Sequence, residues 1–152
     1  MPTKAVAVEA EDAINATGTS SIIGYRLRRA QLKVFQRFLR VFDKLNLRPV
    51  EYSVLVLIAD NPGRKQTEIA EALGIKRANF VALVHEIEER GFVERRPAAD
   101  DKRANALHLT KAGRTFLTRA RAVHDEMEQA LVDRLGGAKG RDALLALLDR
   151  LM

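Results

Sequence analysis

A chain of 152 residues, 47% of them hydrophobic, suits one domain with a core of its own. Cysteine is absent, which excludes disulfides, thiolate metal sites and cysteine redox sensing, and fits a reducing cytoplasm. The net charge of +6, from 26 bases against 20 acids, points to an anionic partner.

The first twenty residues have no long apolar run and are acidic through Glu9, Glu11 and Asp12. They make neither a signal peptide nor a membrane anchor, and residues 1–20 are expected to be a flexible tail. Ser20 or Ser21 is then placed to cap a long helix over 21–46. Along it Ile23, Leu27, Ala30, Val34, Phe38, Val41 and Leu45 recur at three- and four-residue steps, one stripe of a 3.6-residue helix. Bases crowd this stretch: Arg26, Arg28, Arg29, Lys33, Arg37, Arg40, Lys44 and Arg48 stand against Asp43. A second helix, "VEYSVLVLIAD", follows Pro49 and stops at "NPG".

Two short helices come next. "QTEIAEAL" is closed by Gly74 and "KRANFVALVHEIEER" by Gly91, each glycine where a left-handed cap is expected. Ile69, Leu73, Val81, Val84 and Ile87 are expected to form their shared core, with Ala70 small enough for close packing. Two β-prone pieces, Phe92 to Arg96 and Ala106 to Thr110, then flank the charged "PAADDKRAN". A long helix runs from about Thr110 to Leu135, with Leu117, Ala120, His124, Met127, Leu131 and Leu135 on one stripe. Gly136 and Gly137 break it before the amphipathic "GRDALLALLDRLM".

Helix, turn, helix and ribbon, in that order, is the layout of a winged helix-turn-helix. The expected fold is therefore mainly α with a small two-stranded β-wing. The winged unit spans 47–109, and 21–46 and 110–152 are flanking dimerisation helices. Their stripes are more apolar than a small monomer leaves exposed, and one winged unit reads only a short half-site, so a homodimer is expected. A helix that reads the major groove carries polar or basic residues early on its exposed side. Here those are Lys76, Arg77 and Asn79, then Ala82 and His85 one turn on. Arg77 suits guanine and Asn79 adenine, while His85 is placed for a phosphate. Lys65, Gln66 and Thr67 open the preceding helix, where amides and side chains hold a phosphate. At the ribbon tip Lys102 and Arg103 are placed to reach the minor groove, and Asp101 to pair with a tip arginine and fix the loop.

These pieces carry a resemblance. "LRPVEYSVLVLIADNPG", "QTEIAEALGIKRANFVALVHEIEERGFVERR" and above all "DKRANALHLTKAG" resemble the MarR-type transcriptional regulators, the last of them that family's Asp-x-Arg wing followed by Leu-x-Leu-Thr-x-x-Gly. Lys102 stands where many members have Arg, and Lys65 where a hydroxyl cap is common. The resemblance implies a cytoplasmic repressor of nearby genes for aromatic-compound metabolism or efflux, bound to double-stranded operator DNA and released by a small-molecule effector.

For that effector, Arg28 projects to the same side of the first helix as Leu32, Phe35 and Leu39. An arginine among apolar side chains suits a carboxylate or phosphate, or else snorkels at the rim or meets an acid of a partner chain. Arg29, Tyr25 and Tyr52 complete the candidate set, though both tyrosines equally suit structural roles. A simple aromatic acid and an aryl-CoA thioester both remain open, the second because Arg26, Arg29, Lys33, Arg37 and Arg40 would serve several phosphates. No cofactor and no metal are expected, since His85, His108 and His124 have no second ligand at a useful spacing. No nucleophile elbow, P-loop or dinucleotide fingerprint assigns a reaction, so the chain is not read as an enzyme. The rival readings are a sequence-indifferent nucleoid-structuring protein and a protein-interaction module on the same fold.

Overall fold

The computed structural model describes Asn15 and residues 17–152. These fall into two units, one running to Gln36 and the other from Arg37 to Met152. Most of the expected tail lies outside the described residues. The remainder winds a short helix, α1 (Thr17–Ser20). Asn15 Oδ1 accepts from the Thr17 N–H at 3.0 Å to cap it. Ser20 is therefore not the cap of the long helix: its hydroxyl donates to the Thr17 carbonyl at 2.9 Å, because this polar run satisfies its own first turn. Helix α2 (Ile23–Phe42) begins after it and passes from the first unit into the second. In the first unit Ile23, Leu27, Leu32, Val34 and Phe35 are all exposed, so α2 there presents apolar side chains to solvent.

In the second unit Phe38 and Phe42 turn into the core and stack with centroids 3.9 Å apart. Helix α2 tightens into a 3-10 turn, Asp43–Leu45, and Asn46 ends it in the left-handed region at φ 45. Helix α3 (Pro49–Asp60) starts with proline at its first position, where no amide is lost. Glu51 Oε2 reaches back to accept from the Arg48 N–H at 2.7 Å. That carboxylate is buried, yet it also meets Arg48 Nη2 at 3.1 Å and Arg90 Nη1 at 3.6 Å. The pairing ties α3 to the end of α5 (Arg77–Glu89).

Helix α4 (Gln66–Ala72) packs against α5 across Gly74, whose φ of +64 admits a side chain only with strain. Strands β1 (Val93–Pro97) and β2 (Asn105–Leu109) pair antiparallel, from Val93↔Leu109 to Pro97↔Asn105. The segment before α4 adds a third edge. Gly63 N–H donates to the Leu107 carbonyl, Leu107 N–H to the Arg64 carbonyl, and Lys65 bridges Ala106. Helix α4 thus starts anchored to the wing.

Helix α6 (Lys111–Arg134) is capped by Thr110, whose hydroxyl accepts from the Gly113 N–H at 2.9 Å and donates to the Gly91 carbonyl at 2.6 Å. The last helix, α7 (Ala138–Asp149), packs on α6. Between these elements Phe42, Val54, Leu55, Ile58, Phe80, Val84, Ile87 and Leu107 form the best-buried core, each worth roughly 1.5–3 kcal/mol relative to exposure. The α6 stripe buries Leu117, Ala120 and Met127 but leaves Leu135 exposed. Every residue of α7 is exposed or half-buried, with Leu144, Leu145 and Leu147 open, as is Leu151 just after it.

One core expectation fails. Val81, expected in the shared core of the helix pair, is 43% exposed. Phe80, Leu83, Val84 and Ile87 already fill the inward face of α5 at the i, i+3, i+4 and i+7 positions. Val81, one residue past Phe80, turns out with Arg77 and His85.

Candidate nucleic-acid interface

A cleft of about 420 Å³ opens where three elements meet. The first turn of α4 contributes Lys65, Gln66 and Thr67, and α5 contributes Arg77, Val81 and His85. The wing contributes Arg95, Arg103, Ala104 and Asn105. Residues 77, 81 and 85 are four apart, so they form one line along α5, facing α4 on one side and the wing on the other.

The bases of the cleft divide into two kinds. Arg95 is committed: it pairs with Glu88 of α5 and donates from Nε to Gln66 Oε1 at 3.2 Å. Glu88 and Arg95 are both largely covered, so this contact fixes the angle between α5 and the wing. Lys65 is committed as well, with Nζ 2.7 Å from Asp100 Oδ2 on the wing. The hydrogen bond to Lys65 holds the Asp100 carboxyl below its ordinary range and raises the lysine in turn. By contrast, neither Arg77 nor Arg103 has an acidic partner among the described residues. His85 Nε2 lies 3.4 Å from Glu89 at the surface.

The structure places the sequence candidates unevenly. It brings together Lys65, Gln66, Thr67, Arg77, His85 and Arg103, but not Lys76, Asn79 or Lys102. Asn79 is two residues past Arg77, about 200° around the helix, and so is turned away from the cleft line. Lys65 faces Asp100 instead of standing open to a phosphate, and the N–H of Lys65 is capped by Glu68 Oε2 at 2.7 Å. Asp101 accepts from the backbone N–H of Arg103 at 3.0 Å, not from its guanidinium. That contact, with Ala104 N–H on the Asp101 carbonyl and Ala98 N–H on the Ala104 carbonyl, shapes the tip as a hydrogen-bonded turn. Sequence reading missed Val81 and Arg95. The four-residue spacing from Arg77 to Val81 to His85 was a signal available for the first; the Glu88 contact of the second spans seven residues across a turn, follows no helix or strand spacing, and left none.

On the first unit, α2 carries an open groove of about 530 Å³ lined by Ile23, Leu27 and Ala30 with Ser21, Arg26, Arg29 and Lys33 around them. Arg28, Leu32 and Phe35 are exposed and outside this groove, and Tyr25 is half-buried. Tyr52 belongs to the second unit. Its ring stacks on His124 at 4.7 Å and tilts against Phe42, and burial together with the Asp125 charge raises its hydroxyl pKa.

The MarR family model matches residues 45–104, which hold α3, α4, α5, β1 and the wing tip. Over 130 residues the chain is 34% identical to a putative transcriptional regulatory protein for the hcr operon of Thauera aromatica, covering 85% of this chain and 78% of that one. This chain belongs to the MarR family. Among solved structures, the MarR-family chain is similar to the transcriptional repressor CouR bound to a 23-mer DNA duplex. The two are 41% identical with a TM-score of 0.85, covering 91% of this chain and 98% of that one. It is also similar to CouR bound to p-coumaroyl-CoA, at 41% identity and a TM-score of 0.80, covering 93% and 97%. Among the described residues, no helix of this MarR-family regulator is long and apolar enough to cross a membrane.

Proposed function

We propose that the chain is a homodimeric repressor that binds operator DNA through the α4–α5–wing cleft and is released by an aromatic acid or its CoA thioester. The observation that carries the reading is the cleft itself. Arg77 and Arg103, both without acidic partners among the described residues, face one cleft on a fold shared with a repressor described on DNA. Arg77 is the base reader, Gln66 and Thr67 hold phosphate, and Arg103 reaches the minor groove. Lys65 and Asp101 act on the wing, the first through Asp100 and the second through the Arg103 amide.

The thioester is the better supported effector. The α2 groove has an apolar floor for an aryl group and Arg26, Arg29 and Lys33 beside it for phosphates, which is what an aryl-CoA requires. The 41% identical CouR described with p-coumaroyl-CoA favours the same class. Dimerisation is supported by the apolar side chains that α2 and α7 leave in solvent.

Fluorescence anisotropy on duplex from upstream of the protein's own gene tests the reading, with random duplex as control and aromatic acids and their CoA thioesters as competitors. Sequence-dependent binding released by a thioester is the expected result. Equal binding to both duplexes, indifferent to every compound, would replace it with the nucleoid-structuring role.

A further inference from the structure

Val81 is the unexplained residue of the cleft. Apart from the small Ala104, the cleft residues around it, Gln66, Thr67, Arg77, His85, Arg103 and Asn105 among them, are polar, yet it is 43% exposed. Packing does not account for it, because Phe80 and Val84 on either side fill the core. A solvated polar groove gives a β-branched apolar residue nothing to gain. A bound surface with an apolar group at that point does.

Among the four bases, thymine alone presents such a group in the major groove, its C5 methyl. We infer that Val81 is a specificity-determining residue that reads thymine by contact with this methyl. The inference rests on the DNA-binding reading of the cleft. Three features support it. Val81 lies on the same line of α5 as Arg77 and His85, one turn from each, so it meets the same groove floor as the base-reading arginine. Valine in a helix is held to essentially one rotamer, so its methyls are presented with little entropy to lose. The rise from Arg77 is about 6 Å, the span of about two base-pair steps, so the thymine lies within one or two pairs of the arginine's base and not on top of it. Arg77 reads its own base and the other cations attract phosphate regardless of sequence; Val81 adds discrimination at a position that no charge supplies.

The contact is tested with methyl-free DNA. The duplex from upstream of the gene is amplified once with dTTP and once with dUTP, and the full-length parent and Val81→Ala proteins are titrated on both and on random duplex. The parent is expected to bind the uracil duplex more weakly, by about fourfold for each methyl lost and about fifteenfold for two half-sites. Val81→Ala should lose that same factor on the thymine duplex and show no more than the residual discrimination due to other methyls. The ratio of the two discriminations isolates the pair, as in a double-mutant cycle. A ratio of one overturns the inference while leaving DNA binding intact. Failure of the parent to prefer either gene-derived duplex over random DNA overturns the DNA reading instead. Since Val81 is exposed, the variant's far-UV spectrum and melting temperature should match the parent's, which separates lost contact from lost fold.

Discussion

Arg77 and Arg103 face the same cleft from opposite walls, but they should fail differently when removed. Arg77 projects into the cleft from the first turn of α5, and on the proposed reading its guanidinium meets a base edge bidentately. Arg77→Ala is expected to weaken operator binding by about 1–3 kcal/mol and to relax the preference at one position per half-site. Arg103 is carried by a turn that Asp101 fixes through the backbone, so Arg103→Ala should remove one cation without reshaping the tip. Binding should then fall on all sequences alike, with the salt slope shallower by about one per half-site. Anisotropy titrations from low to moderate salt separate the two; identical salt slopes in parent and Arg103→Ala would sink the wing assignment. At this scale the sequence was a good guide to which residues are basic and exposed, and a poor guide to which are already engaged. Lys65 and Arg95 look like any other cation on the page. Only the fold brings Asp100 to one and Glu88 to the other, over separations of 35 and 7 residues.

Between elements, one tight joint is where the wing hands over to α6. A Cβ built on Gly113 would stand 2.0 Å from the Phe92 carbonyl oxygen, a backbone atom that cannot move aside without taking β1 with it. Thr110 closes the same joint from the other side, holding the Gly91 carbonyl with its hydroxyl while capping α6. Together they explain in physical terms why the run Leu107 to Gly113 reads Leu-x-Leu-Thr-x-x-Gly: two inward strand residues, a cap, and a glycine where helix meets strand. Gly113→Ala is therefore expected to destabilise the chain by about 2–3 kcal/mol, an overpacking cost that outweighs the usual gain in helix propensity. Urea denaturation followed by circular dichroism measures it, and an unchanged or raised midpoint would show that the joint yields. Elements of this kind were largely legible beforehand. Periodicity and caps located α3, α4, α5, the wing and α6 to within a few residues, because each carries its own start and stop chemistry. What escaped were features without a local code: the turn at Thr17–Ser20, the 3-10 ending of α2, and the third edge that residues 63–65 add to the wing.

For the whole molecule, the unfinished surface is the most telling. Helix α7 leaves Leu145 and Leu147 at least half exposed in the isolated chain, Leu151 beyond its end is equally open, and α2 does the same with Ile23. A monomer gains nothing from these side chains, whereas a two-fold partner buries each of them twice. Leu147→Asp should therefore leave the fold of a single chain almost untouched, since Leu147 is already 58% exposed, and act on assembly alone. Losing roughly 1.5 kcal/mol or more of burial at each of two equivalent positions would raise the dimer dissociation constant by at least about a hundredfold. Sedimentation equilibrium across a concentration series reads that constant directly. Operator affinity should fall with it, because two winged units that no longer travel together lose the fixed spacing of their half-sites. The pairing of the two readouts is what makes the test decisive. A Leu147→Asp protein that stays dimeric at the parent's concentrations would take α7 out of the interface, whereas one that becomes monomeric yet keeps full operator affinity would show that each cleft binds its half-site alone.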